Sequence, residues 1–294
     1  MGGVMRLRLM MPLACGAFVV GCTSGHDGSA DEGDASVPDA AMLFVIQSNE
    51  PVPPPPVVEE IDAGPSVPVA SLPRAPSVCP AEMAHVDGYC IDKWEAYVVE
   101  LDPRGHEHPH SPYATVDGLA VRAKSAPNVI PQGYISQIQA ENACKNAGKR
   151  LCVREEFEKA CRGPERRTYP YGASYQHGAC NEGHGSMVPK YYGDSPHRWT
   201  YANFNDPRLN REGNLAKTGT FRKCVSPYGV YDLVGNLHEW GADPPDERGR
   251  GRFRGGWYGD AEVNGHGCSY VTKAHENWYH DYSTGFRCCA DAKE

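Results

Sequence analysis

Ten cysteines lie between Cys79 and Cys289, and no other feature limits so strongly what this chain can fold into. They are Cys79, Cys90, Cys144, Cys152, Cys161, Cys180, Cys224, Cys268, Cys288 and Cys289. An even set of thiols in an exported domain reads as a disulfide framework, able to hold long loops that regular structure does not hold. Zinc is the weaker reading. The set has no Cys-x-x-Cys pair, and the adjacent Cys288 and Cys289 are poorly placed to serve one tetrahedral ion. Cys79 and Cys90 flank a short turn at Asp87-Gly88 and are expected to pair locally.

The N-terminus supplies the export signal that this framework requires. Arg6 and Arg8 precede an apolar run from Leu9 to Val20, too short for a spanning helix of about 20 residues and of the length of a secretory h-region. Val19-Val20-Gly21-Cys22 resembles a bacterial lipobox, in which the cysteine becomes the acylated first residue. Residues 1–21 are therefore expected to be a signal peptide and Cys22 the lipidation site. The protein is expected to be held by lipid at a bacterial membrane, on the outer membrane or cell surface, without a transmembrane helix.

Residues 22–78 read as a disordered tether. They are rich in Pro, Ser, Ala and Gly, include Pro53-Pro54-Pro55-Pro56, and set nine acidic side chains from Asp27 to Asp62 against Arg74 alone. Low hydrophobicity with one sign of charge cannot repay the ordering entropy, and the Pro tract favours a semi-stiff extended spacer. The formal net charge of −8 comes mostly from this segment. No basic stripe remains for nucleic acid.

The folded domain is expected over residues 79–294. Ser136-Gln137-Ile138-Gln139 has the form of a capping box, so a helix is predicted from Gln137 to Ala147, ended by Gly148. A second helix is predicted from Arg154 to Cys161, with Glu155 and Glu156 in its first turn and Gly163-Pro164 as its stop. Short strands are predicted at Gly88–Tyr97 and Phe253–Tyr258, among long Gly, Pro, Asn and Tyr loops.

Tyr228-Gly229-Val230-Tyr231-Asp232-Leu233-Val234-Gly235-Asn236-Leu237-His238-Glu239-Trp240 is the most distinctive stretch. Its glycines, Asn and Glu set among apolar residues suit a tightly turned backbone whose carbonyls and carboxylate converge on a small hard ion such as calcium. A buried turn and strand is the simpler alternative.

Several segments resemble one family in order. Tyr89-Cys90-Ile91-Asp92-Lys93-Trp94-Glu95 looks like its opening strand, and Gly148-Lys149-Arg150-Leu151-Cys152-Val153-Arg154-Glu155-Glu156-Phe157 with Tyr169-Pro170-Tyr171-Gly172 looks like its helical segment. The stretch above, Arg254-Gly255-Gly256-Trp257 and Gly285-Phe286-Arg287-Cys288 complete the set. The domain is thus similar to the formylglycine-generating enzyme, or sulfatase-modifying factor, family. The resemblance implies an irregular, loop-rich, C-type-lectin-like α+β fold with few helices, short strands, disulfides and bound calcium. It implies calcium ligands at the backbone oxygens of Val234, Gly235 and Leu237 and the carboxylate of Glu239, with a second calcium site beginning at Asn203 and Phe204. It also implies bridges Cys144–Cys288 and Cys161–Cys268. The pairing of Cys152, Cys180, Cys224 and Cys289 stays open, as does Cys161 with Cys180.

Active members of that family hold copper on two cysteines shortly after the Gly-Gly that matches Gly255-Gly256. Here the matching positions carry Asp260 and Gly265, so a pair of soft ligands is lacking and copper chemistry is not expected. An iron site built from His266, His275 and His280 with Asp260, Glu262 and Asp281 is the alternative cofactor. His106, His108 and His110 form a further imidazole cluster, read as a solvated loop between strands. Tyr258, Asp260, His266, Tyr270, His275 and Trp278 are the expected ligand cleft, with aromatics and polar groups suited to an extracytoplasmic peptide, glycan or small molecule. The favoured function is a lipid-anchored, diverged binding or accessory module. The alternative is an active oxidoreductase, either a formylglycine-generating oxidase acting on a sulfatase cysteine or a non-haem iron oxygenase.

Overall fold

Ser136 caps the first helix as its spacing predicts. Its hydroxyl accepts from the Gln139 N–H, and the Gln139 side chain accepts in return from the Ser136 N–H. This computed structural model describes residues 78–273 and 275–293. The expected signal peptide, Cys22 and all of the tether except Val78 lie outside the described residues.

The elements in chain order are β1 (Met83–Val86), β2 (Tyr89–Asp92), β3 (Ala96–Leu101), β4 (Glu107–Pro109), β5 (Val121–Ser125), α1 (Gln137–Asn146), β6 (Arg150–Leu151) and α2 (Arg154–Arg162). There follow α3 (Val188–Tyr192), α4 (Tyr201–Phe204), α5 (Arg208–Arg211), β7 (His238–Trp240), β8 (Phe253–Arg254), β9 (Val271–Thr272), β10 (Thr284–Phe286) and β11 (Cys288–Asp291). Both predicted helices are present. The predicted strand Gly88–Tyr97 is instead two strands, because Lys93–Glu95 leaves one sheet and β3 enters another. The predicted strand at Phe253–Tyr258 stops after Arg254, where Gly255 and Gly256 take φ values of 79° and 76°.

Three small sheets carry these strands, in the orders β1-β2-β11-β6, β10-β7-β8-β9 and β4-β3-β5. The last strand, β11, sits between β2 and β6, so it closes the sheet that the first two strands of the described residues open. In the second sheet β10 runs parallel to β7, with Gly285 opposite Glu239. One core layer gathers Ile91, Phe157, Leu233 and Val234; a second gathers Val98, Ile135, Leu151, Trp240 and Phe286.

Five disulfides join the loops and sheets: Cys79–Cys90, Cys144–Cys288, Cys152–Cys289, Cys161–Cys268 and Cys180–Cys224. The local pair and the two pairs implied by resemblance form as expected. Adjacent Cys288 and Cys289 point to opposite faces of β11, as strand geometry requires, and so reach α1 and the β6–α2 junction separately. His106, His108 and His110 lie on or beside the exposed edge strand β4; His106 contacts Asp102, and His110 contacts Glu100.

Candidate functional site

The turn ahead of β7 has an unusual backbone. Asp232, Gly235 and Asn236 all have φ between 57° and 76°, and a Cβ on Gly235 would stand 2.2 Å from the Asn181 carbonyl oxygen. Only glycine fits there. Asn236 then ties the turn to its surroundings: its Oδ1 accepts from Asn181 Nδ2 and the Ala216 N–H, and its Nδ2 donates to the Glu95 carboxylate. The other Glu95 oxygen accepts from the Leu237 N–H at 3.0 Å.

Behind this turn lies a buried charge centre. Arg287 meets Glu239 in a fork, Nε to Oε2 at 2.5 Å and Nη2 to Oε1 at 2.6 Å, and both side chains are essentially inaccessible. Its remaining donors reach the carbonyls of Asp92 and Tyr231. Asp92 is compensated by Lys149 at 2.7 Å and by the Cys288 N–H. Glu95 and Asp232 have no ion-paired cation among the described residues; Glu95 accepts from Asn236 and Leu237, and Asp232 from the Gly219 N–H. Burial raises Glu95 well above the usual carboxylate range, and the charges of Asp232 and Glu239 add to it. Burial likewise pushes Asp232 up to about 7. Three carboxylates therefore share one guanidinium, which is the electrostatic deficit that a hard divalent cation relieves.

This arrangement alters the ligand set expected from sequence. Glu239 is engaged by the Arg287 guanidinium through both oxygens, whereas Glu95 and Asp232, buried beside the turn that carries Val234, Gly235 and Leu237, are met only by neutral N–H donors. Neither Glu95 nor Asp232 nor the role of Arg287 was anticipated. The signal was that Glu95, Asp232 and Arg287 each fall inside one of the family-like segments. Around the second expected calcium position, Asn203 donates its amide to the Arg198 carbonyl and the Phe204 carbonyl accepts from the Tyr282 N–H. The neighbouring Asp206 is taken up by Arg208 and Tyr192. The donors expected there are turned toward the protein itself.

Asp260 and Gly265, the positions expected from sequence to match the copper pair, are built as parts of a loop. Asp260 accepts from the Glu262 and Val263 N–H groups and from the Tyr270 hydroxyl at 3.0 Å. Gly265 has φ 121°, and a Cβ there would lie 2.8 Å from the Ser269 carbonyl oxygen. All ten cysteines of the domain are in disulfides. The sulfurs of Cys152 and Cys289 also approach Glu156, but they are bonded to each other at 2.05 Å and Glu156 holds Arg150.

The ligand cleft expected from sequence divides into separate parts. Tyr258 is fully buried and donates to the Leu209 carbonyl, and Tyr270 is buried against His238. His266 is exposed and turns to Glu262 at 2.5 Å. His275 stacks on Tyr279 with centroids 3.8 Å apart, and its pKa is lowered by burial. His280 bonds Tyr201 and Asn205 and lies 3.3 Å from Asp117. Asp281 is occupied by Tyr279 and Ser283. The imidazoles and carboxylates of the iron alternative thus do not converge; the rings close the gaps of a loop-rich core instead.

Two aromatic rings do face solvent together. Trp278 is 56 % exposed and Tyr201 43 %, and they meet edge to face at 6.1 Å above His280. His238 has the opposite character. It is buried among Phe253, Trp257 and Tyr270, its Nδ1 has no hydrogen-bond partner, and burial lowers its pKa to about 3.

The fold and the turn define a disulfide-stapled, C-type-lectin-like α+β domain organised around a buried arginine and carboxylate centre. A model of the sulfatase-modifying factor enzyme 1-like domain matches residues 61–292, and the chain belongs to that family. Among solved structures it is similar to PvdO from Pseudomonas aeruginosa, at 15% identity over 69% of this chain and 80% of that one, with a TM-score of 0.42. Treponema denticola variable protein 1 matches at 13% identity over 73% of this chain and 93% of that one, TM-score 0.41. The Major Tropism Determinant P3c variant matches at 13% identity over 73% of this chain, TM-score 0.42, but this chain covers only 54% of its length.

Proposed function

We propose that this protein is a lipid-anchored, extracytoplasmic member of the family whose domain has left copper chemistry and serves as a binding or accessory module. The observation that carries this reading is Gly265. A cysteine at this position would need both an unfavourable backbone and space held by the Ser269 carbonyl, while Asp260, at the other position, is spent on holding the same loop. With every domain cysteine in a disulfide, no thiolate is left for a soft metal. Five disulfides agree with an oxidising compartment outside the cytoplasm, and no helix among the described residues is long and apolar enough to cross a membrane.

Tyr201 and Trp278 form the recognition face, with the His280 ring and the Asp117 carboxylate supplying polar contacts to a peptide, glycan or small polar ligand. Calcium is structural in this reading, held by Asp232 and Glu95 with the carbonyls of the Val234–Leu237 turn. The deciding experiment incubates the full chain with copper and a sulfatase-type cysteine peptide in an oxygen electrode. No peptide-dependent oxygen uptake is expected; uptake would overturn the reading. Binding on peptide and glycan arrays is expected to disappear in Tyr201→Ala with Trp278→Ala. Calcium is expected to raise the melting temperature, and Asp232→Asn to remove most of that rise. Cys22→Ala is expected to move the protein into the soluble fraction.

A further inference from the structure

A cavity of about 540 Å³ lies between α2, β8, β9 and the Cys268 loop, and its wall is unusually cationic for a chain of net charge −8. Arg154, Arg162, Arg252, Arg254 and Lys273 line it together with Glu155, Glu158 and Asp243. Two of the cations are internally committed. Arg154 pairs with Glu158 at 2.8 Å, and Arg254, its side chain buried, pairs with Asp243 at 2.8 Å. The other three are not. Arg162 and Arg252 donate only to the carbonyls of Arg167 and Pro244, and no carboxylate lies within ion-pair distance of either, or of Lys273, among the described residues. Against these three stands Glu155 alone.

From this balance we infer that the cavity is a binding site for a divalent oxyanion, phosphate or sulfate, free or as a monoester. Two surplus positive charges match two negative ones, and guanidinium groups offer paired donors that fit tetrahedral oxyanions. The site is also rigid. Arg162 follows Cys161 and Ser269 follows Cys268, so the Cys161–Cys268 bridge fastens the two walls at the cavity itself. Donors held in place before binding lose little entropy on capture.

The test is calorimetric titration of the full chain with inorganic phosphate and with inorganic sulfate, against sodium chloride of equal ionic strength. Saturable binding of phosphate or sulfate is expected, weakened about tenfold by Arg252→Gln and about tenfold again by adding Lys273→Gln, since each removes a charged hydrogen bond. Neither side chain holds the fold, so an unchanged far-ultraviolet spectrum and melting temperature are expected in both variants. Lys190→Gln, at α3 and outside the cavity, is expected to bind as the parent does. Heat indistinguishable from the chloride control, or parent-like binding by the double variant, would overturn the assignment. Of the monoesters, glucose 6-phosphate and glucose 6-sulfate separate a phosphate preference from a sulfate one.

Discussion

Glu239 and Arg287, 48 residues apart, form a two-bond ion pair that neither water nor any exposed side chain reaches. It fastens β7 to the end of β10, the one parallel pair among the named strands of the described residues, and passes the constraint to the carbonyls of Asp92 and Tyr231. A buried pair of this kind contributes little net free energy over an apolar substitute, yet removal of one partner leaves an uncompensated charge.

Glu239→Gln or Arg287→Met alone is therefore expected to lower unfolding free energy by about 3–5 kcal/mol. The double variant is expected to recover only part of that loss, because Arg287→Met still strands two backbone carbonyls. Urea unfolding of the four proteins in a double-mutant cycle measures the coupling.

Two buried imidazoles weaken the fold in acid, against the opposite pull of Asp232 and Glu95, whose raised carboxyls take up protons more readily in the folded chain than in the unfolded one. His275, packed between Phe253 and Tyr279, has its pKa lowered by burial, and the more deeply buried His238 has its own lowered to about 3. The folded chain thus binds these protons more weakly than the unfolded chain. The stabilisation is complete above the unfolded value of about 6.5 and is lost as pH falls below it, at up to about 1.4 kcal/mol per pH unit for His238 and less for the partly exposed His275. His275→Phe keeps the stack and removes one titration. As pH falls from 7 to 4, the melting temperature of this variant is expected to rise relative to that of the parent at the same pH.

The disulfides are expected to rank by the loop that each closes. Cys79–Cys90 spans 11 residues and Cys144–Cys288 spans 144. Paired serine substitutions should cost about 3 kcal/mol at the first and about 5 kcal/mol at the second, measured by urea unfolding. Equal losses would show that constraint of the unfolded chain is not what these bridges supply.

Placing cysteine at Asp260 and Gly265, the positions that the proposed function aligns with a copper pair, is expected to fail as engineering. Gly265→Cys puts a side chain at φ 121° and into the Ser269 carbonyl, at a cost of about 1–3 kcal/mol. Combined with Asp260→Cys, which releases the Glu262 and Val263 N–H groups, it should lower the melting temperature further and bring no stoichiometric copper, as read by metal analysis.

Much of the fold was legible from residues acting locally. The capping box at Ser136, the acidic first turn of α2 and its Gly163 stop all work within a few positions of one another, as does Cys79 with Cys90. Family-like motifs carried the bridges Cys144–Cys288 and Cys161–Cys268 and the turn from Val234 to Glu239. The remaining bridges, Cys152–Cys289 and Cys180–Cys224, depended on which face of β11 each neighbouring cysteine takes and on how the loops close, neither of which spacing encodes.

The site was less legible, because its character depends on charge balance and burial between distant segments. The stretch itself announced a glutamate on a tight turn; only the folded chain brings Arg287 onto that glutamate and leaves Glu95 and Asp232 in charge deficit. Similarly, Tyr258, Tyr270, His275 and Trp278 are close in sequence and alike in composition, yet packing sends the first two into the core and leaves Trp278 in water. Local residue types establish what turns, caps and bridges are available. Which carboxylate is neutralised and which ring is exposed follow from long-range packing, since both depend on neighbours tens to hundreds of residues away.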